Sequence, residues 1–150
     1  MSHQDNITQE ELEAFDRTAR GGRLDMQSDA ARLGIIRSLL DALPASPAAP
    51  SLVFRRPGGT VECVPIDERV TIGRGRDCEI RFEDRLGLSR RHFSVVAEAG
   101  RFFVEDHASS NGTTLAGLVG RIAREELHEC DLIRAGGIIF LFVRPGPADG

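Results

Sequence analysis

Three short segments hold residue types that the turning of a chain does not by itself require: Gly73-Arg74-Gly75-Arg76, Leu88-Ser89-Arg90-Arg91-His92 and Ser109-Ser110-Asn111-Gly112-Thr113. Brought together, they would offer guanidiniums, hydroxyls, an Asn amide and glycine-supported backbone N–H groups. All of these donate hydrogen bonds, and a phosphate is the anion that such a set fits, because an arginine fork binds it in two charge-assisted bonds. Other chemistries fit the same residues less well. His92 with Ser89 or Ser110 and Asp106 has the composition of a catalytic triad, but no strained G-x-S-x-G elbow presents a nucleophile. Gly73-Arg74-Gly75 is half of a dinucleotide fingerprint with no helix after it. The doublets Arg55-Arg56 and Arg90-Arg91 lie in a segment of net charge −1, which reads as solvated surface rather than a DNA contact.

Composition narrows the choice further. Among 150 residues there are 19 basic groups, every one of them arginine, and there is neither Trp nor Tyr. Without lysine, a Walker-type phosphate loop, a Schiff-base enzyme and a protein-kinase site are excluded. Eight Phe and a net charge of −4 offer little to single-stranded nucleic acid, so no nucleic-acid partner is expected. No apolar run reaches the roughly 20 residues of a membrane span, and the polar, acidic start MSHQDNITQEELEAF is unlike a secretory signal. Cys63, Cys78 and Cys130 form no C-x-x-C pair, so neither a metal site nor a disulfide framework is expected. A reducing cytoplasm follows from the same cysteine usage, and no cofactor is implied.

The elements that must position the three segments begin after residue 50. Residues 51–144 read as short strands separated by turn signals: Ser51–Arg55, Val61–Ile66, Arg69–Gly73, Cys78–Phe82, His92–Glu98, Arg101–Asp106, Thr113–Leu115, Glu126–Glu129, Asp131–Arg134 and Ile138–Val143. Pro57-Gly58-Gly59 marks a hairpin, and the pattern alternates around Gly100. The expected fold is therefore all-β, a two-sheet antiparallel sandwich, in which loops at one end of the sheets converge.

Residues 1–43 read as a helical, flexible extension. Thr8-Gln9-Glu10-Glu11 fits a capping box ahead of Leu12, Phe15 and Ala19, and Gly21-Gly22 breaks that segment. Ser28 is expected to cap a second helix with Leu33, Ile36, Leu40 and Leu43 on one face. These narrow stripes would dock on the sandwich, on a second copy or on a partner. Residues 44–50, with Pro44, Pro47 and Pro50, read as a semi-rigid tether, and residues 145–150 as a tail.

In order and spacing, Gly73-Arg74, Ser89-Arg90-Arg91-His92 and Ser110-Asn111-Gly112-Thr113 resemble the forkhead-associated (FHA) domain family. Asp131-Leu132-Ile133, ahead of a glycine-bearing turn and a Phe-rich last strand, resembles its closing pattern. The resemblance covers about residues 51–144. It implies a β-sandwich that binds phosphothreonine peptides and has no catalytic residue. Arg74 and Ser89 would contact the phosphate, Arg90 would assist, Ser110 would bond near the phosphothreonine, and Asn111 would hold the peptide main chain. Gly73, His92, Gly112 and Thr113 would shape the loops. The threonine methyl would fit an apolar notch, worth roughly 0.8 kcal/mol over serine.

Three positions depart from the family pattern: Ser110 for the commoner Thr, Ala116-Gly117 for Asn-Gly, and Cys130 for a Gly before Asp131. The function this implies is an adaptor for phosphothreonine proteins made by a Ser/Thr kinase, in a bacterial cytoplasm. Two alternatives remain. One is a scaffold that self-associates through the N-terminal helices. The other is an autoregulated protein that binds its own arm after phosphorylation of Thr8 or Thr18. Flanking-residue selectivity would lie in Asp84–Leu88 and Gly136–Gly137.

Overall fold

Alternation within the strands decides which side chains meet in the interior. In the computed structural model, which describes residues 26–145, ten strands follow one helix. They are β1 (Ser51–Arg55), β2 (Val61–Pro65), β3 (Arg69–Gly73), β4 (Ile80–Arg81), β5 (Phe93–Glu98), β6 (Arg101–Asp106), β7 (Thr113–Leu115), β8 (Arg124–Leu127), β9 (Leu132–Ala135) and β10 (Ile138–Val143). One sheet has the order β2-β1-β10-β9-β7 and the other β4-β3-β5-β6-β8. Leu52 and Phe54 of β1, Phe93 and Val95 of β5, and Phe140 and Phe142 of β10 belong to the core between the sheets. Phe54, Phe82 and Phe93 each place their ring centroids within 6 Å of Phe140, at 5.3, 5.9 and 5.2 Å, in tilted or edge-on contacts.

The residues between those positions point the other way. Val53, Ile139, Leu141 and Val143 lie on the outer face of the first sheet and are also buried, because α1 (Met26–Asp41) packs over them through Ile35 and Leu39. β10 is thus buried on both faces, which explains its unbroken apolar sequence. Ser38 of α1 is buried beside these residues and accepts a hydrogen bond from Arg55 Nη2 at 3.1 Å. Of the three docking surfaces open to this helix, the fold uses its own sandwich.

Several details differ from the sequence reading. The helix already includes Met26, so Ser28 lies within it and not at its cap. Leu33, assigned to the apolar face, is 65% exposed, while Ile35 and Leu39 are at 0% and 1%. The two stripes have the same helical spacing, and the sheet selects the one whose neighbours Ile36, Leu40 and Leu43 flank it. β4 has two residues instead of five and pairs parallel with β3, Ile72 opposite Ile80, so the sandwich is not antiparallel throughout. The Glu79 carboxylate takes the Thr71 N–H at 2.7 Å, ending regular pairing on that edge. β8 starts two residues earlier and β9 one residue later than expected. Cys78 is buried ahead of β4, and Cys63 in β2 is half-buried. The capping box at Thr8–Glu11, the break at Gly21-Gly22 and Thr18 lie outside the described residues.

Candidate functional site

Two backbones come into close contact at the end of β3. A Cβ built on Gly73 would stand 2.2 Å from the Arg90 carbonyl oxygen and 2.8 Å from that of Ser89. No side chain fits there, and glycine lets the two loops be stitched together. Arg74 N–H donates to Ser89 O (3.1 Å), Gly75 N–H to Arg90 O (2.9 Å) and the Cys78 thiol to Arg90 O (3.1 Å). Burial pushes the Cys78 thiol up, so it is a poor thiolate.

The Arg74 side chain is fixed at its inner end, where Nε donates to the Leu88 carbonyl at 2.7 Å. Its terminal nitrogens have no hydrogen-bond partner among the described residues. Ser89 Oγ accepts the Ser110 N–H at 3.1 Å, which leaves the hydroxyl proton free to donate. Asn111 Nδ2 donates to Gly87 O at 3.1 Å, and its side-chain oxygen keeps its acceptor capacity. Arg74, Ser89, Arg90, Ser110 and Asn111 all line one open recess of about 280 Å³, together with Leu86 and Leu88. The five residues proposed for phosphopeptide contact are thus side by side, although they come from three separate loops.

His92 holds two of those loops together. It is fully buried, its Nδ1 faces the Ser89 N–H at 3.0 Å, and its Nε2 lies 2.9 Å from the Gly112 carbonyl. An amide can only donate and a carbonyl can only accept. The ring is therefore the tautomer with its proton on Nε2, and neither nitrogen faces a hydroxyl as a triad would require. Gly112, at φ +85°, turns its carbonyl toward that ring.

Asp106 organises the rest of the third loop, a role the sequence reading did not assign. Its carboxylate accepts from Ser109 N–H (3.0 Å), Ser109 Oγ (2.6 Å) and Thr113 Oγ1 (2.7 Å). Ser109 Oγ in turn accepts the Gly112 N–H at 3.0 Å. Burial pushes the Asp106 carboxyl up, but the Ser109 and Thr113 hydrogen bonds outweigh it, and the net shift is downward. The spacing Asp106…Ser109 is the signal that would have revealed this, since an Asx side chain commonly caps the backbone two or three residues on.

The loops expected to set selectivity pack against each other. Arg85 Nε donates to Gly136 O at 2.9 Å, and a Cβ on Gly136 would lie 2.6 Å from Leu88 Cγ. Cys130, standing where the family pattern has glycine, adopts the left-handed φ of +68° that a glycine would take readily. Among the described residues no group of three His, Cys, Asp or Glu side chains is placed to hold a metal ion. No helix among them is long and apolar enough to cross a membrane.

Comparison with known proteins gives a family. The model of the FHA domain matches residues 70–136. A solved FHA domain described for phosphothreonine-dependent interactions is 27% identical, with a TM-score of 0.52 over 65% of this chain and 98% of that one. The FhaA FHA domain, crystallised with the intracellular domain of Rv3910, is 26% identical, with a TM-score of 0.52 over 63% of this chain and 99% of that one. An FHA domain of an Arabidopsis thaliana protein is 26% identical, with a TM-score of 0.53 over 68% of this chain and 92% of that one. No curated protein matches the sequence. Family model and solved structures agree: residues 70–136 match the FHA domain model, and the β-sandwich of this chain has the fold of solved FHA domains.

Proposed function

We propose that this chain is a phosphothreonine-peptide-binding adaptor acting downstream of a Ser/Thr protein kinase, in a reducing cytoplasm, by recognition without catalysis. The observation that carries this reading is the recess itself. Arg74 presents a fork held at Nε by Leu88, Ser89 presents a free hydroxyl proton, and Arg90, Ser110 and Asn111 stand beside them. A phosphothreonine brings about −1.5 to −2 charges and three acceptor oxygens, which that donor set answers. Asn111, with a donor and an acceptor, suits an extended peptide main chain. Leu86, which is exposed, is the apolar side chain the recess offers to the threonine methyl, while Leu88 is buried in the core.

The relatives described with a phosphothreonine-dependent interaction and with a bound intracellular domain support the same reading. The rival scaffold reading loses one of its surfaces, since Ile35 and Leu39 are already covered by the sandwich.

Calorimetric titration with a phosphothreonine peptide library is the test. Micromolar binding that disappears for the unphosphorylated peptides is expected, and Arg74→Ala should weaken it about 10- to 100-fold, the worth of a charge-assisted hydrogen bond. Binding that ignores phosphorylation or Arg74 would overturn the reading.

A further inference from the structure

The basic surface extends beyond the recess. Arg74 and Arg90 also form part of the wall of a second, larger trough of about 760 Å³, whose remaining cations are Arg76, Arg81 and Arg91. Asp77, Glu83 and Asp84 line it as well, so its charge is partly answered within the protein. Arg81 lies 3.4 Å from Glu83 and donates through Nε to the Arg74 carbonyl, which commits it to the fold. Arg91 has only a solvent-exposed contact to Asp77 at 3.9 Å. Arg76 and Arg90 are exposed and Arg74 is half-buried, and none of the three has a carboxylate partner among the described residues.

One phosphate in the recess engages Arg74, with Arg90 assisting. Arg76 and Arg91 then remain as positive charge that a single phosphate does not use. Their backbone is not free to carry them away, because Gly75 and Cys78 are both bonded to the Arg90 carbonyl. The backbone from which these two side chains extend is therefore held next to the phosphate recess.

We propose that the trough is a second anion subsite for the same ligand, with Arg76 and Arg91 as specificity-determining residues. It receives an acidic side chain or a second phosphorylated residue close to the phosphothreonine. The proposal rests on the phosphothreonine reading. The shared Arg74 and Arg90 make the two hollows neighbours along one peptide. The three carboxylates disfavour a continuous polyanion such as nucleic acid, whose phosphates would meet Asp77, Glu83 and Asp84 in turn. With five arginines against three carboxylates, the trough still keeps a net positive charge for a single anionic group.

The test uses the full chain and one peptide sequence in four forms: phosphothreonine with neutral flanks, with Glu on the N-terminal side, with Glu on the C-terminal side, and with a second phosphothreonine. Titration of each should show tighter binding, about threefold to tenfold for two exposed ion pairs, when the extra anion lies on one flank but not the other. The gain should shrink at high salt. Comparison of the Glu and doubly phosphorylated forms tells which source the subsite prefers. In a variant carrying R76Q and R91Q, with its thermal midpoint measured as a fold control, the gain should vanish while the neutral-flank peptide binds within about twofold of the parent. A gain absent on both flanks, or undiminished in that variant, overturns the subsite while leaving Arg74-dependent binding intact. If the neutral-flank peptide itself does not bind through Arg74, the phosphothreonine reading fails and the subsite falls with it.

Discussion

Gly73 leaves room for the carbonyl of Arg90 that no other residue could: an ideal Cβ on the first would lie 2.2 Å from the oxygen of the second. The contact joins the end of β3 to the loop that carries Ser89, and so sets the position of Arg74 relative to Ser89. The obstructing atom is backbone and is itself bonded to Gly75 N–H and Cys78 Sγ. Gly73→Ala must therefore push the loops apart. We expect a loss of about 2–3 kcal/mol in stability, at the upper end of overpacking costs, measured by urea denaturation. Affinity for a phosphothreonine peptide should fall in the fraction that remains folded.

The buried ring of His92 joins Ser89 N–H to Gly112 O. His92→Ala removes both partners at once and leaves a buried donor and a buried acceptor without bonds. At about 1–3 kcal/mol for each such group, a destabilisation of about 2–6 kcal/mol is expected. If the ring only filled space, His92→Leu would rescue stability. The hydrogen-bond account requires it to fail, which thermal melts of the two variants would show.

The parts of this molecule that were legible in the sequence are those whose signal is a side chain or a breaker. β1, β3, β6, β7 and β10 begin and end where expected, because Gly, Pro and charged residues bound alternating or apolar runs. The donor types of the recess were legible for the same reason. The face of α1 was legible only in part: Ile36, Leu40 and Leu43 do flank the buried stripe, but Leu33 satisfies the same helical spacing and is exposed, while Ile35 and Leu39 are at the centre, which only the outer face of β1, β9 and β10 decides. The supports of the site were also hidden. Arg74 is held by the carbonyl of Leu88, Asn111 by that of Gly87 and His92 by that of Gly112. A backbone acceptor has no residue identity, so its role appears only when the chain is folded.

Two aspartates should respond to acid in opposite directions. Burial pushes the Asp106 carboxyl up, but its bonds from Ser109 and Thr113 carry it below the ordinary value of 3.8. It binds its proton less readily when folded. Its stabilisation is complete above the unfolded value and is lost as pH falls through the lower folded one. Asp131 is raised, chiefly by burial, with the His128 N–H bond opposing. Folding therefore favours its protonated form, and its contribution improves as pH falls from its folded value toward 3.8. Denaturation midpoints measured from pH 7 to pH 3 should show Asp106→Asn losing part of the acid sensitivity of the parent. Asp131→Asn should be most favourable relative to the parent at neutral pH, with that advantage shrinking as pH falls. Parallel curves for all three proteins would contradict both assignments.

The helix α1 offers a test of what its apolar residues are for. Leu39 is buried at 1% exposure against Val53, Ile139 and Leu141, whereas Leu33 on the same helix is 65% exposed. If α1 serves to cover the outer face of the first sheet, Leu39→Ala should cost about 2–4 kcal/mol, as for a large-to-small change in a core. Leu33→Ala should stay within about 0.5 kcal/mol, as for an exposed position. The recess is built by loops and by the second sheet, away from this face, so both variants should bind a phosphothreonine peptide with parental affinity when folded. A scaffold working through α1 would give the reverse order: Leu33→Ala would reduce self-association in analytical ultracentrifugation without lowering stability. The two readings thus separate on one pair of substitutions, because burial has already divided the helix into a side that the sandwich uses and a side that it leaves open.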